Sequence, residues 1–178
     1  ETQEEIEWLE AMALAIEETD DAIELDALKK QLADAGYLKL REEPLRRQVK
    51  TGSSALLEAV SPNGFKLTWG RNPRQNDRVS REVAAADDLW FHAHNLPGCH
   101  LVLRRAGHTG EVPEEDVLFA AALAAGYSRA RHDSRVEVMV TEARHVKKPK
   151  GARPGLVTVA TYRTVVVAPR RIEEVNDL

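Results

Sequence analysis

The 178 residues, 43% of them hydrophobic, leave room for one domain of ordinary size with an appendage and supply enough apolar content for a packed core. The longest apolar stretch, Val117 to Tyr127, falls well short of the roughly 20 residues a membrane span requires, and no basic-then-apolar leader opens the chain, which argues against membrane insertion and secretion. The one cysteine, Cys99, cannot form an internal disulfide and no Cys-x-x-Cys pair is present, which suits a reducing cytoplasm. A start at Glu1 without methionine is expected of a piece of a longer protein. The net charge of −4 hides a division: residues 1–43 hold 14 Asp/Glu against 4 Lys/Arg, about −10, which leaves about +6 for residues 44–178. Nucleic acid responds to local charge, so the basic part remains a candidate despite the acidic total.

Taken in chain order, Thr2 to Ala35 reads as helix. Leu9, Ile16 and Ile23 are seven apart, with Ile6, Ala13 and Ala27 beside them, so the end of a coiled-coil arm is expected over residues 1–43. A plain amphipathic helix packed on the neighbouring domain is the alternative, and Trp8 and Met12 beside the seam suit either. Asp20-Asp21 interrupts the pattern and can cap a second helix at Ala22, and Gly36 fits a C-terminal cap. Residues 44–54, polar and basic, are expected to be a linker, followed by a domain over 55–170 and a tail over 171–178. Strands are expected at Leu56–Val60 and Phe65–Gly70, joined by Asn63-Gly64 as a hairpin. Further strands are expected at Leu89–Ala93, His100–Arg104, Val136–Glu142 and Val157–Val167, the last hinged near Tyr162. Helices are expected at Arg74–Ala86 and Glu114–Arg131. The fold class is therefore α+β: a mostly antiparallel or mixed sheet with two helices, preceded by a coiled-coil helical segment.

Three segments carry groups suited to chemistry. Gly70 to Arg78 packs Arg71, Asn72, Gln75, Asn76 and Arg78 between a strand and a helix. Their planar forks and amides match phosphates and base edges, although one or two of them would suffice for a capped turn. In Asp87 to His100, alternation puts Trp90, His92 and His94 on one strand face. If that face is open it offers a stacking platform for unpaired bases; otherwise Trp90 and a histidine are core residues. His92, His94 and His100 are also a conceivable zinc set, and with Asp87, Asp88 and Glu82 a metal-dependent nuclease is the enzymatic alternative. The proline-stiffened run from His145 to Gly155 places Lys147, Lys148, Lys150 and Arg153 close together, either to hold a phosphate backbone or as a solvated loop. No nucleophile elbow, phosphate-binding loop or Cys/His dyad is present, so no catalytic residue and no cofactor is assigned.

These motifs resemble a known family. Gly70-Arg71-Asn72 with Gln75-Asn76-Asp77, then Asp88-Leu89-Trp90-Phe91-His92-Ala93 with Pro97-Gly98 and His100, then Val146-Lys147-Lys148-Pro149 with Gly151-Ala152 and Pro154-Gly155, are similar to the NFACT-R module. That is the C-terminal RNA-binding domain of the FbpA/RqcH/NEMF ribosome-quality-control proteins, once described as fibronectin-binding. The likeness runs from about Gly36 to Pro169, with the acidic heptads resembling the end of that family's coiled-coil hairpin. It implies a cytoplasmic protein that binds large ribosomal subunits obstructed by a stalled peptidyl-tRNA complex and recruits tRNA for mRNA-independent alanine tailing. This segment would be a non-enzymatic RNA-binding module contacting tRNA, ribosomal RNA and other domains of its own full-length chain. The implied contacts are Arg71, Asn72, Gln75, Asn76, Trp90, His92 and His100 on a central surface, with Lys147, Lys148, Lys150 and Arg153 on the backbone-binding loop. His94 and Cys99 stand where the resemblance implies a basic residue and a serine. A protein-docking module without RNA contact is the remaining alternative.

Overall fold

The computed structural model describes residues 2–40 and 55–176, so the linker expected at 44–54 lies outside the described residues. Helix α1 (Gln3–Glu18) opens with a capping box: the Glu5 amide donates to Thr2 Oγ1 at 3.2 Å and the Thr2 amide to the Glu5 carboxylate at 3.3 Å. Asp21 caps α2 (Ala22–Asp34) by accepting from the Ile23 amide at 2.8 Å, as the Asp20-Asp21 break predicts. Gly36, with φ of 86°, ends it in a Schellman turn whose Tyr37 and Gly36 amides donate to the Leu32 and Ala33 carbonyls.

The buried stripe of this arm differs from the expected heptad seam. Ile6, Ile16 and Ile23 are 37%, 37% and 53% exposed, whereas Trp8, Met12, Ala15 and Leu28 form the buried cluster, with Leu156 of the following domain packed against it. The amphipathic alternative describes this face: the aromatic and thioether side chains turn toward the domain, and the β-branched ones turn outward.

The domain is built on one sheet of β1 (Leu57–Val60), β2 (Lys66–Trp69), β3 (Leu89–Ala93), β4 (Leu101–Arg104), β5 (Val136–Glu142) and β8 (Arg163–Val167). Its order is β1-β2-β4-β3-β5-β8, antiparallel at every pairing, and β6 (Val146–Lys147) with β7 (Thr158–Val159) forms a separate small ribbon. This is the expected α+β class. The Asn63-Gly64 turn joins β1 to β2 with Gly64 at φ 90°, a left-handed geometry that glycine adopts freely. The expected Val157–Val167 strand divides into β7 and β8 at a bend just before Tyr162, because β7 pairs with β6 and only β8 joins the main sheet.

One sheet face is covered by α4 (Glu114–Gly126), whose residues from Ala120 to Gly126 are all buried against Leu67, Trp69, Phe91, Leu101, Leu103, Val138 and Val140. At about 1.5–3 kcal/mol per fully buried large side chain, this layer dominates the stability. The expected extension of α4 to Arg131 does not form. A Cβ at Gly126 would lie 1.8 Å from the Arg170 carbonyl oxygen, and the Arg170 amide donates to the Ala122 carbonyl at 2.9 Å; the returning chain occupies the path the helix would take. That chain continues into α5 (Ile172–Asn176), whose Ile172 and Val175 pack on the same core.

The opposite face is covered by α3 (Pro73–Arg78), a π-helical turn (Val79–Val83) and the β6–β7 ribbon. The helix expected over Arg74–Ala86 is thus interrupted: the Ala84 amide donates to the Val79 carbonyl at 3.0 Å, five residues back, and the backbone then becomes extended.

Candidate nucleic-acid interface

Gly70 allows α3 to start hard against the end of β2, since a Cβ there would sit 2.5 Å from Asn76 Oδ1 and 2.7 Å from the Asn76 amide nitrogen. Asn72 caps α3 by accepting from the Gln75 amide at 3.0 Å, and Pro73 occupies the first turn, where a missing N–H has no cost. Gln75 Oε1 accepts from the Arg71 amide at 2.8 Å. Asn76 bridges to β4 by accepting from the His100 amide at 3.1 Å and donating to the Gly98 carbonyl at 3.3 Å. Of the two readings of this segment, contact with phosphates and base edges or a capped turn, Asn72 makes the cap, while Gln75 and Asn76, 4% and 6% exposed, tie α3 to the sheet.

Behind α3 lies a polar triad of buried Trp90 and His100 with half-buried Ser80. The Trp90 indole N–H donates to Ser80 Oγ at 2.9 Å, and Ser80 Oγ lies 2.7 Å from His100 Nδ1. Indole nitrogen only donates, so Ser80 accepts from Trp90; the second lone pair and the hydroxyl proton let it pair with either neutral tautomer of His100. Burial pushes the His100 pKa well below its ordinary 6.5, aided by the neighbouring His92. Burial likewise lowers His92 to about 4, against a partial counter-effect from the Ala93 backbone. Both rings are uncharged at neutral pH.

His92 stacks on Trp90 with centroids 5.7 Å apart and planes 12° apart, and meets His100 edge-on at 5.3 Å. The anticipated platform is thus not open at Trp90, which is 1% exposed beneath Val79 and the ribbon; only His92, partly exposed, presents a face. His94 turns to Tyr162, 3.2 Å from its hydroxyl, and to Glu137 at 3.6 Å. Among the described residues no three His, Cys, Asp or Glu side chains converge as a metal site, so the conceived set of His92, His94 and His100 is not assembled.

The run from His145 to Gly155 begins as β6 and is anchored rather than loose. Lys148 Nζ donates to both carboxylate oxygens of Asp77, at 2.9 and 2.7 Å, and to the Arg153 carbonyl at 2.9 Å. The Gly155 amide, on a backbone with φ of 80°, donates to the same Asp77 at 2.8 Å. Val146, Val157 and Val159 of the ribbon pack beside Val79 of the π turn, so α3 and the ribbon form one supported surface.

The acidic arm takes up much of the domain's positive charge. Arg71 pairs with Glu24, Arg153 with Glu5 at 3.7 Å and Arg129 with Glu10 at 3.6 Å; Arg131 and Arg171 meet Glu18 at 2.7 and 2.8 Å. Arg153 also lies 5.0 Å over the Trp8 ring. Of the anticipated cations, Arg71, Lys148 and Arg153 hold the protein together, whereas Arg78, Lys147 and Lys150 have no ion-pair partner among the described residues. Arg81, on the π turn and exposed, joins them and was not anticipated. Its signal was its spacing of three from Arg78, obscured because a charged residue in a helical run is usually only solvated.

The sequence profile described as NFACT protein RNA binding domain matches residues 57–160. The chain is 34% identical over 167 residues to the Rqc2 homolog RqcH of Bacillus subtilis, covering 94% of this chain and 28% of that protein. It is 32% identical to the Rqc2 homolog RqcH of Streptococcus suis, covering 95% of this chain and 29% of that one, so it spans under a third of these relatives. Among solved structures, the C-terminal part of the fibronectin/fibrinogen-binding protein from Streptococcus suis superposes with a TM-score of 0.81 at 29% identity, covering 99% of this chain and 68% of that one. With the profile covering more than half of its length, the chain belongs to the NFACT RNA-binding domain family, found in proteins of the ribosome-quality-control type.

Proposed function

We propose that this chain is the RNA-contacting module of a ribosome-quality-control factor that binds obstructed large ribosomal subunits and helps recruit tRNA for mRNA-independent alanine tailing of stalled nascent chains. The observation that carries this reading is that four cations without ion-pair partners among the described residues, Arg78, Arg81, Lys147 and Lys150, lie on elements fixed together by Asp77. Cations on a rigid support lose little entropy on meeting phosphates, and each counterion they release favours binding. The module acts by binding; peptide-bond formation is left to the ribosome. The relatives named as Rqc2 homologs support the cellular context.

The test is binding of the chain to tRNA and to an unrelated structured RNA over a salt series, with and without EDTA, while RNA integrity is followed. Salt-sensitive binding of intact RNA, indifferent to EDTA, is expected. Metal-dependent cleavage would replace the reading with a nuclease, and binding to neither RNA would replace it with a protein-docking module.

A further inference from the structure

Between α1 and the sheet lies a cleft of about 480 Å³, in the size range of small-molecule sites. Its lining contains no lysine or arginine; its charged members are Glu7 and Glu10 of α1. On one wall is His92, backed by Trp90 in a parallel stack; on another are Leu156 and Val157 of the segment that returns from the basic loop. A phosphate would meet no cation there, only carboxylates, uncharged imidazoles and the amides of Gln3, Asn76 and Asn95, so the cleft does not suit the RNA backbone. A flat uncharged ring does suit it, continuing the Trp90–His92 stack and burying its faces against the aliphatic wall.

The carboxylates narrow the choice further. Glu7 has only the Gln3 amide as a side-chain partner, at 3.1 Å, among the described residues, which leaves acceptor capacity for a donor within the cleft. Adenine, cytosine and guanine carry an exocyclic amino group with two N–H donors for a carboxylate; uracil offers only its single imide N–H, flanked by carbonyl oxygens that a carboxylate repels. We propose that the cleft receives one unpaired, amino-bearing nucleobase of a bound RNA, while the flanking phosphates rest outside on Lys147 and Lys150 of the adjoining ribbon and loop. This rests on the RNA-binding reading above and specifies what that surface selects: an extruded base, through stacking and a carboxylate acceptor.

The experiment compares three RNA hairpins, one fully paired, one with a single bulged adenosine and one with a single bulged uridine. Their affinities for the intact 178-residue chain and for its His92→Ala and Glu7→Gln variants are measured by fluorescence anisotropy over a salt series. The bulged adenosine is expected to bind about tenfold tighter than the paired hairpin, with uridine between them. His92→Ala should erase the preference for a bulge at an unchanged salt slope. Glu7→Gln, an exposed change that threatens the fold least, should reduce the preference for adenosine over uridine, because a neutral amide oxygen accepts more weakly than a carboxylate and the amide also donates. Equal, salt-sensitive affinity for all three hairpins would overturn the base cleft and leave RNA binding standing; binding to none would overturn both. Displacement of the His92 ring resonances by a valine–serine repeat peptide, with no displacement by the bulged RNAs, would give the cleft to polypeptide and likewise overturn the proposal.

Discussion

The two faces of the sheet are held by different physics. The α4 face is a dry layer in which Leu67, Trp69, Phe91, Leu101, Leu103 and Leu123 are buried against alanines. The α3 face has a smaller apolar cluster of Val79, Trp90 and Val102, surrounded by Gln75, Asn76, Asp77, Ser80, His100 and Lys148, each in a specific hydrogen bond or ion pair. Hydrophobic burial is non-directional and supplies stability; directional bonds fix where side chains and loops sit. The first face gives the domain its stability, and the second gives its cations an address.

This contrast is sharpest at the largest expected effect. Leu101→Ala should cost about 2–5 kcal/mol in denaturant unfolding through the cavity it leaves, with unchanged RNA affinity of the folded fraction. On the other face, Asp77→Ala leaves the Lys148 ammonium and the Gly155 amide without their shared acceptor, at a cost of about 3 kcal/mol. Unlike the core change, it should also weaken RNA binding, because the basic loop is no longer held. If Asp77→Ala destabilised the protein while leaving RNA affinity intact, the positional role of this face would be wrong.

Acid should separate the faces as well. The folded pKa values of His92, about 4, and of His100 lie below the ordinary 6.5, so above pH 6.5 both states are neutral and stability is flat. As pH falls below 6.5 the unfolded chain takes up protons that the folded chain refuses, so stability drops; for His92, with a folded value of about 4, the loss reaches about 2 kcal/mol by pH 5, and His100 adds to it in the same direction. Asp116, at the start of α4, behaves differently: burial raises its pKa, but hydrogen bonds from Ser61 and Asn63 outweigh this and leave it below 3.8. Its contribution is complete above 3.8 and is lost only as pH falls through its lower folded value. Thermal melts from pH 8 to 4 should show the earlier onset, and His100→Asn should reduce it. An onset confined to carboxylate pH would contradict the neutral-imidazole account.

The smallest effect on stability falls on the surface. Arg81→Glu with Lys147→Glu should change unfolding free energy by no more than about 0.5 kcal/mol. The same pair should reduce the slope of log affinity against log salt by about 0.7–0.9 for each phosphate that no longer meets a cation.

Most strands were legible because alternation and the Asn-Gly turn are local signals, and the assignment of Trp90, His92 and His94 to one strand face followed from the same period. What alternation cannot state is whether that face is open. Trp90 is covered by Val79 and by Val157 and Val159, which reach it only through the folded topology. The arm shows the same limit: the seven-residue spacing of Leu9, Ile16 and Ile23 is real, but Trp8 and Met12 are buried because a domain lies beside them. The π turn and the end of α4 at Gly126 also depend on distant backbone, as the Arg170 carbonyl shows. The basic residues were visible in the sequence. Which of them the acidic arm neutralises, and which keep no ion-pair partner among the described residues, was not.

The most direct test of the central claim is a map of backbone amide shifts on adding tRNA to the isotopically labelled chain at moderate salt. The account predicts shifts concentrated at Arg78, Arg81, Lys147 and Lys150 and in the neighbouring cleft, with α4 unaffected. Shifts concentrated instead on α4 or the outer edge of β8, with the α3 and ribbon surface silent, would contradict it.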